Sequence, residues 1–294
     1  MLLIVGETLV AFMRQLATDA DQDLPFSGPW ASGAPAIAAY SASMLGAPTH
    51  LVAGIGQDAA GDNIRSRLCA AGVTCHESGG GHLRPTATAY VTYYADGHRE
   101  FQFGVGDTAA TAVREADLAS LPESASWLHL SGSALLFGEP LAASAMSALR
   151  RARATGATVS VDPNVRTEAL TPSAGALLAE ALTLAQVIFP STGEIEALGL
   201  SRAELTRRGA TVCTTDGPNG ARLETREGTW VIPAESSDPV DTDGAGDNFA
   251  GGYIAASMAG ATPQEAARAG SHAAAESIAV LGPMEAELTR CPRG

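Results

Sequence analysis

The stretch "DPVDTDGAGDNFAGG", residues 238–252, places four aspartates and four glycines within fifteen positions. From Gly244 onward the composition changes to apolar residues at helical spacing, which predicts a helix that begins near Gly246. The first backbone N–H groups of a helix have no carbonyl partner and carry the positive end of the helix dipole. Gly244, Ala245 and Gly246 leave the main chain accessible, so this turn predicts a binding site for a phosphoryl group.

Asp247 lies in the first turn of that predicted helix, within reach of whatever the glycine turn binds. A carboxylate there can accept the proton of an attacking hydroxyl, because phosphoryl transfer passes through a loose transition state that needs no strong base. The alternative is that Asp247 only adds a negative charge to the helix N-terminus, which is worth about 0.3–1 kcal/mol. The combination of the glycine turn and the carboxylate favours the catalytic interpretation.

The composition excludes several classes of function. The chain has 294 residues and a net charge of −14, so neither nucleic acid nor an anionic membrane is expected as its main partner. All 18 basic residues are arginines, which excludes Schiff-base chemistry and the lysine-dependent phosphate loops. The cysteines are scattered, and the apolar N-terminus has no basic region of a signal peptide. We therefore expect buried free thiols, no membrane span and a cytoplasmic protein.

Short apolar strands alternate with helical patterns along most of the chain. Strands are predicted at 2–6, 50–56, 126–132, 157–164, 185–191 and 210–217. Helices are predicted at 34–46, 61–71, 139–155, 192–208, 246–259 and 263–280. This alternation predicts one α/β domain over residues 1–294, with a mostly parallel central sheet covered by helices on both faces.

Two stretches, 8–31 and 86–105, interrupt this alternation. The second alternates at period two around "ADGHR" (95–99), which predicts a hairpin with an Asp-Gly turn. Neither stretch has a helix to cover it, so we expect a small β-sheet that serves as a lid and excludes water. An edge extension or a dimer contact is the alternative, and an exposed lid is compatible with a homodimer.

The segment "DTDGAGD" (241–247) resembles the Asp-Thr-x-Gly-Ala-Gly-Asp motif of the ribokinase family, the PfkB-type carbohydrate kinases. The resemblance covers nearly the whole chain, since further segments follow the family's order: "ASGAPAIAAYSASMLG" (31–46), "GIGQDAAGDNIRSRLCAAGV" (54–73), "SVDPNVR" (160–166), "PSTGEIEALG" (190–199) and "TTDGPNGA" (214–221). It implies a ribokinase-like fold with a β-sheet lid and a kinase that uses ATP and Mg²⁺. It also implies that a sugar primary hydroxyl is phosphorylated, with Asp247 as base and the amides of 244–246 as anion hole.

The resemblance also implies roles for residues outside this motif. The substrate would be bound by Ser32, Gly33, Phe101, Phe103, Asn164 and Arg166. The nucleotide would be bound by Thr215, Gly217, Gly220 and Thr242. Arg166 could clamp a phosphate or a sugar carboxylate, and a surface ion pair is the alternative. The two phenylalanines could stack over a ring or seal the pocket, and core packing is their alternative. Glu194 would assist Mg²⁺ indirectly, through water.

Four positions depart from the family pattern. Ile37 stands where relatives usually have Asn, Ala11 stands where many have an acidic residue, and Ser32 replaces a glycine. Ser191 replaces the Asn of the family's Asn-x-x-Glu segment, of which Glu194 is kept. The loss of two polar partners for sugar hydroxyls, at positions 37 and 11, indicates an altered substrate.

Two short segments bear on the substrate class. "GETLVAF" (6–12) and "DPNVR" (162–166) look most like the 2-keto-3-deoxygluconate kinase and fructokinase branch, which implies a sugar or a sugar acid. A nucleoside kinase of the adenosine type is the alternative, because hydrophobic Ile37 is tolerable where a base replaces part of the sugar contacts.

Two interpretations outside the kinases stay open. "GIGQDA" (54–59), with Glu77 as an acidic partner further on, fits the dinucleotide fingerprint of an NAD-binding oxidoreductase. That fingerprint normally opens the first βαβ unit, and it leaves residues 241–247 unexplained. A non-catalytic nucleotide- or sugar-binding sensor would account for Ile37 and Ser191, but not for the intact glycine turn.

Overall fold

The computed structural model describes residues 1–16, 23–95, 99–119, 125–166, 170–235 and 237–291. Its strands are β1 (Leu2–Val5), β2 (Leu9–Gln15), β3 (Ser27–Ser32), β4 (Thr49–Ala53), β5 (Thr74–Glu77), β6 (Ala87–Tyr93), β7 (Arg99–Gly104), β8 (Trp127–Ser131), β9 (Thr158–Asp162), β10 (Val187–Ile188), β11 (Thr211–Thr215), β12 (Ala221–Glu224) and β13 (Thr229–Ile232). Its α-helices are α1 (Ala34–Met44), α2 (Ala59–Ala70), α3 (Ser133–Leu136), α4 (Leu141–Ala154), α5 (Pro172–Leu184), α6 (Glu194–Ala197), α7 (Arg202–Arg207), α8 (Ala245–Met258) and α9 (Pro263–Ser277).

The main sheet contains nine of these strands, in the order β13-β12-β11-β10-β9-β8-β1-β4-β5. Every neighbouring pair from β11 to β5 is parallel, whereas β12 and β13 are added antiparallel at one edge. The prediction of a mostly parallel sheet is therefore confirmed. Parallel pairing brings the carboxyl ends of seven strands to one edge of the sheet.

The side chains of β1 alternate between two hydrophobic layers, one on each face of the main sheet. Leu2 and Ile4 are buried in the layer that includes residues of α1, α8 and α9. Leu3 and Val5 are buried in the layer that α4 and α5 form on the other face. A strand buried on both faces is an uninterrupted apolar run, which is why β1 was recognisable in the sequence. The predicted helices on both faces are confirmed.

A smaller, separate sheet has the strand order β3-β2-β6-β7. The hairpin predicted within 86–105 is confirmed, because β6 and β7 pair antiparallel. Residues 96–98, where its Asp-Gly turn was predicted, lie outside the described residues. The stretch 8–31 supplies β2 and β3, again antiparallel, although its residues 17–22 are also outside the described part. The two stretches join through a parallel pairing of β2 with β6.

Several elements differ from the sequence prediction. The strands β5, β12 and β13 and the helices α3 and α5 were not predicted. The helix predicted over 192–208 is wrong in its middle, because α6 and α7 are separate. Gly199 follows α6 with a φ of 70°, and this left-handed conformation ends a helix.

The cysteines and the helices can be compared with the expectations of buried thiols and no membrane span. The four cysteines are free, but only Cys213 is buried and Cys69 is exposed, so the expectation of buried thiols is wrong for Cys69. None of the helices in the described segments is both long and apolar enough to cross a bilayer.

Two glycines allow α8 to lie very close to its neighbours. A Cβ added at Gly251 would lie 2.6 Å from the Cβ of Ser41 on α1. A Cβ added at Gly252 would lie 2.9 Å from the Cβ of Ala273 on α9. The Ser41 hydroxyl also donates a hydrogen bond to the carbonyl of Asn248, at 3.1 Å. These contacts fix the position of the first turns of α8.

Substitution Gly251→Ala is expected to lower the free energy of unfolding by about 1–3 kcal/mol, because the added methyl overpacks the α1–α8 contact. Urea denaturation measures the change. Gly79→Ala is the matched control, since a Cβ at Gly79 would meet no atom within 4 Å. Equal midpoints for the two variants would contradict the packing argument.

Candidate active site

A cleft of about 430 Å³ lies between the carboxyl edge of the main sheet and the inner face of the small sheet. Residues that follow β1, β8 and β9 form one side, and the start of α8 closes one end. The cleft is lined by Glu7, Leu9, Ala11, Ser32, Gly33, Ala34, Ile37, Ala89, Val91, Phe101, Phe103, Ser133, Phe137, Asn164, Arg166, Asp243 and Asp247. Ligands of parallel α/β sheets bind at this edge, so the cleft is the candidate active site.

The glycine turn before α8 has the features of an anion site. The helix begins at Ala245, within one residue of the predicted start. Gly244 precedes it with a φ of 71°, and a Cβ there would lie 2.7 Å from Pro283 and 2.9 Å from Ile37. A Cβ at Gly246 would instead have no atom within 4 Å from any other element of the described segments. The backbone of the first turn is therefore open to a ligand at Gly246.

The carboxyl group of Asp247 is buried at the end of the cleft, with 8% of the residue exposed. The side-chain amide of Asn164 donates a hydrogen bond to its Oδ1, at 3.4 Å. Burial raises the pKa of Asp247 to about 8; the Arg166 guanidinium opposes this shift, and the nearby Asp243 and Glu7 add to it. Asp247 therefore has the burial and the basicity of a proton acceptor that works near neutral pH.

The segment after β9 is held in place by two carboxyl groups. Asn164 has a φ of 41°, and its N–H donates to Asp162 Oδ1 at 2.8 Å. Glu194 accepts hydrogen bonds from the N–H groups of Val165 and Ser191, each at 2.7 Å. Glu194 thus ties the ends of β9 and β10 together and positions Asn164. The Oδ1 atom of Asn164 is buried and has no hydrogen-bond partner among the described residues.

Two acidic residues of the cleft were missed by the sequence reasoning. Glu7 is 1% exposed, its Oε1 accepts a hydrogen bond from Ser133 at 2.6 Å, and burial raises its pKa to about 7. Asp243 is partly buried, and burial together with Asp241 raises its pKa to about 6. Asp243 occupies the variable position of the motif at 241–247, for which the sequence predicted no role. Glu7 follows β1 at the carboxyl edge of the main sheet, where ligands of parallel sheets bind, so its position in the sequence could have predicted it as a site residue.

An aromatic wall faces these acids from the small sheet. Phe101 and Phe103 stack with their ring centroids 5.8 Å apart, and Phe103 contacts Phe137 at 5.3 Å. The guanidinium carbon of Arg166 lies 4.9 Å from the ring centroid of Phe101. This cation–π contact holds Arg166 at the border between the aromatic wall and the acidic side of the cleft.

The cleft brings together seven of the predicted site residues: Ser32, Gly33, Phe101, Phe103, Asn164, Arg166 and Asp247. The departures Ala11 and Ile37 also line it, and both present apolar surface. The predicted nucleotide residues Thr215, Gly217, Gly220 and Thr242 do not line this cleft. Thr215 ends β11, and its carbonyl accepts a hydrogen bond from the N–H of Thr192 at 3.1 Å. Their role stays a prediction.

Asp241 joins three parts of the structure just before the glycine turn. Its Oδ1 accepts a hydrogen bond from the Tyr93 hydroxyl of β6 at 2.6 Å and another from the N–H of Asp243 at 3.0 Å. Its Oδ2 accepts from the N–H of Gly282, also at 3.0 Å. The small sheet, the glycine turn and the segment after α9 therefore meet at one carboxyl group.

The glycine turn after β4 leaves no room for a dinucleotide. A Cβ at Gly54 would lie 1.7 Å from the carbonyl oxygen of Ala109, and one at Gly56 would lie 2.4 Å from the backbone nitrogen of Thr86. Asp58 caps α2 and also accepts hydrogen bonds from Thr86, which puts a negative charge where a pyrophosphate would bind. The glycines serve close backbone packing, which argues against the oxidoreductase interpretation.

The sequence and the fold are similar to those of known kinases. Fructokinase-2 from Oryza sativa subsp. japonica is 32% identical over 264 residues, which cover 85% of this chain and 77% of that protein. A structure provisionally named Ribokinase II from E. coli, in complex with ATP and Mg²⁺, has a TM-score of 0.85 at 29% identity and covers 97% of this chain and 94% of that chain.

A fructokinase from Vibrio cholerae O395, in a form that binds fructose, ADP and calcium ion, has a TM-score of 0.82. It is 26% identical, and the match covers 98% of this chain and 96% of that chain. The family model described as pfkB family carbohydrate kinase matches residues 30–290. With the glycine turn, the buried carboxylate and the cleft between the two sheets, this match shows that the chain belongs to the pfkB family of carbohydrate kinases.

Proposed function

We propose that the protein transfers the γ-phosphoryl group of ATP to a primary hydroxyl of a sugar or sugar acid bound in the cleft. The observation that carries this proposal is the buried carboxyl group of Asp247, one residue after the open backbone at Gly246. The fructokinase names of the relatives and the ATP and Mg²⁺ of the E. coli structure support the same reaction.

Asp247 acts as the base in this mechanism. Its carboxylate takes the proton of the acceptor hydroxyl while the hydroxyl oxygen bonds to the γ-phosphorus. The bond between that phosphorus and the oxygen bridging to the β-phosphate breaks, and ADP leaves. The raised pKa of Asp247 makes it a better proton acceptor than an exposed carboxylate, and Arg166 keeps part of the population ionised at neutral pH.

The start of α8 stabilises the charge of the transferred group. The N–H groups of Ala245, Gly246 and Asp247 are at the helix N-terminus, where the helix has no carbonyl to pair them. They therefore act as an anion hole for the phosphoryl oxygens, at the positive end of the helix dipole. The free space beside Gly246 fits this role, because a phosphoryl group can approach the main chain there.

The acidic edge of the cleft suits a bound Mg²⁺. Mg²⁺ prefers oxygen ligands and keeps several of its waters, and Asn164 offers a buried oxygen that no hydrogen-bond donor of the described residues reaches. Glu194 uses both carboxylate oxygens in backbone hydrogen bonds, so it would hold the ion through water rather than directly. When bound, Mg²⁺ neutralises charge on the β- and γ-phosphates.

The nucleotide is proposed to lie along the carboxyl ends of β10 and β11. Thr215, Gly217 and Gly220 follow β11 at that edge, and Thr242 is exposed just before the glycine turn. Gly217 and Gly220 have φ values of 49° and 87°, so both positions favour glycine and form a tight turn.

The small sheet is proposed to act as a lid within one domain of residues 1–294. Strands β2, β6 and β7 supply the inner face that covers the cleft, which would keep water away from the transferred phosphoryl group. The apolar surface at Ala11 and Ile37 also supports the second candidate, a nucleoside kinase, because a base could pack there.

Substitution Asp247→Asn is expected to lower turnover by about 10²- to 10⁴-fold, because the amide cannot accept the proton. ADP release is measured across ketoses, aldoses, sugar acids and nucleosides, and ATP binding is measured separately and should change little. Retained turnover would refute the assignment of the base. A sensor would bind sugar and nucleotide but release no ADP with any acceptor.

Substitution Asp247→Asn should also change the free energy of unfolding in a pH-dependent way. The pKa of Asp247 is about 8 in the folded protein against an ordinary value of 3.8, so between these pH values the folded state binds the extra proton. The contribution of this protonated carboxyl group to the free energy of unfolding is therefore fully present below pH 4 and is lost as the pH rises towards 8. Asn carries no charge, so the variant should exceed the wild type by about 1–3 kcal/mol in unfolding free energy at pH 8 and match it near pH 4. Urea denaturation at both pH values measures this difference.

Substitution Gly246→Ala tests the anion hole. The added methyl would have no atom of another described element within 4 Å, so stability should be unchanged or slightly higher. It would occupy the space proposed for the phosphoryl group, and turnover should fall by about 10²-fold or more. Gly251→Ala, on the same helix, is the contrasting variant, because its main effect is on stability. Full turnover of Gly246→Ala would argue against phosphoryl binding at this turn.

A homodimer through the outer face of the lid is also proposed. Phe12 and Tyr90 stack there at 5.1 Å, and Phe26 packs edge-on against Tyr90 at 5.2 Å. Tyr90 is 38% exposed, and an aromatic cluster of this kind is typical of interface cores. Light scattering should give the mass of a dimer for the wild type and of a monomer for Tyr90→Glu. A monomeric wild type would refute the dimer.

A further inference from the structure

The acceptor end of the cleft has an uneven distribution of charge. The carboxyl groups of Glu7, Asp243 and Asp247 line it, whereas Arg166 is the one basic side chain among the described residues of the lining. Arg166 acts electrostatically on all three carboxyl groups. A second anion brought by the acceptor would therefore meet a site with more negative than positive groups.

Among the described residues of the lining, Ser32 of β3 is the one polar side chain that the small sheet offers to an acceptor. Strands β2, β6 and β7 present only apolar side chains to the cleft: Leu9, Ala11, Ala89, Val91, Phe101 and Phe103. Ile37 of α1 adds to this surface. A hydroxyl buried against such a wall loses its hydrogen bonds to water without replacement. Apart from Ser32, the partners for the hydroxyl groups of an acceptor must therefore come from the acidic side.

Asp243 is the more accessible of the two acids on this side that the proposed proton transfer does not use, since Asn164 donates to Asp247 and Asp247 is the proposed base. Glu7 is 1% exposed; its Oε1 accepts from Ser133, and its Oε2 has no hydrogen-bond partner among the described residues. The Asp243 carboxyl group accepts a hydrogen bond from the N–H of Gly244, and within the described part of the chain it belongs to no ion pair. Its pKa of about 6 leaves it mostly ionised at pH 7.

We propose that Asp243 is a specificity-determining residue, which binds a hydroxyl or amino group of the acceptor and repels acceptors that carry a carboxylate or phosphate. The inference rests on the proposed kinase function and narrows its acceptors to neutral or amino-bearing polyols. The carboxyl group of Asp243 already acts electrostatically on Asp247. Because a partly buried site screens charge far less than water does, Asp243 should also repel a carboxylate or phosphate on the acceptor.

The wild-type enzyme gives the first test. ADP release is measured with matched neutral, amino-bearing and acidic acceptors, including fructose, glucosamine and 2-keto-3-deoxygluconate. The highest kcat/KM should belong to a neutral or amino-bearing acceptor. A sugar acid as the best acceptor would overturn this inference and leave the kinase proposal intact. No ADP release with any acceptor would overturn the kinase proposal, and the inference with it.

Substitution Asp243→Asn gives the second test. It removes the charge at constant shape, so the ratio of kcat/KM for neutral over acidic acceptors should fall by about 10- to 100-fold. Asp238→Asn is the matched control, because it removes the same charge from an exposed position in the same segment and should leave the ratio unchanged. A merely structural role would lower kcat/KM for both kinds of acceptor alike, and that outcome would overturn the inference.

Discussion

Helix α8 can present its first turn to the cleft only because it lies almost in contact with the backbones of α1 and α9. Gly251 and Gly252 make that approach sterically allowed, and the hydrogen bond from Ser41 fixes it. Contacts on two sides hold the helix in place, which would preorganise its terminal N–H groups for the proposed binding of the phosphoryl group. The glycine turn and Asp247 depend on this packing.

The carboxyl groups of the cleft lower the stability of the fold above the pH at which they would ionise in water. Burial raises the pKa of Glu7, Asp243 and Asp247, which means that the folded protein disfavours their charged forms. Two large apolar layers on the main sheet offset this cost. The same burial that lowers stability gives Asp247 the basicity that the proposed mechanism needs, so stability and the proposed chemistry are opposed at this position.

The parts of the fold that local sequence determines were predictable. The apolar runs gave the main parallel strands, and the change from glycine-rich to apolar sequence located the start of α8. The split at Gly199 was readable in principle, since glycine commonly ends a helix. Glu7 and Asp243 were not readable as site residues from residue type alone, because the burial of a carboxyl group depends on distant elements that cover it. The parallel pairing of β2 with β6 is likewise a contact between distant segments.

Asp241 has a consequence for how the cleft can open. Tyr93 is the last residue of β6, and its hydroxyl is bonded to the same carboxyl group that accepts from the N–H of Asp243. An outward movement of β6 must stretch or break the Tyr93 bond, and the carboxyl group then loses one of its donors. Opening of the cleft to ligands and the conformation of the glycine turn are therefore coupled through the side chain of Asp241.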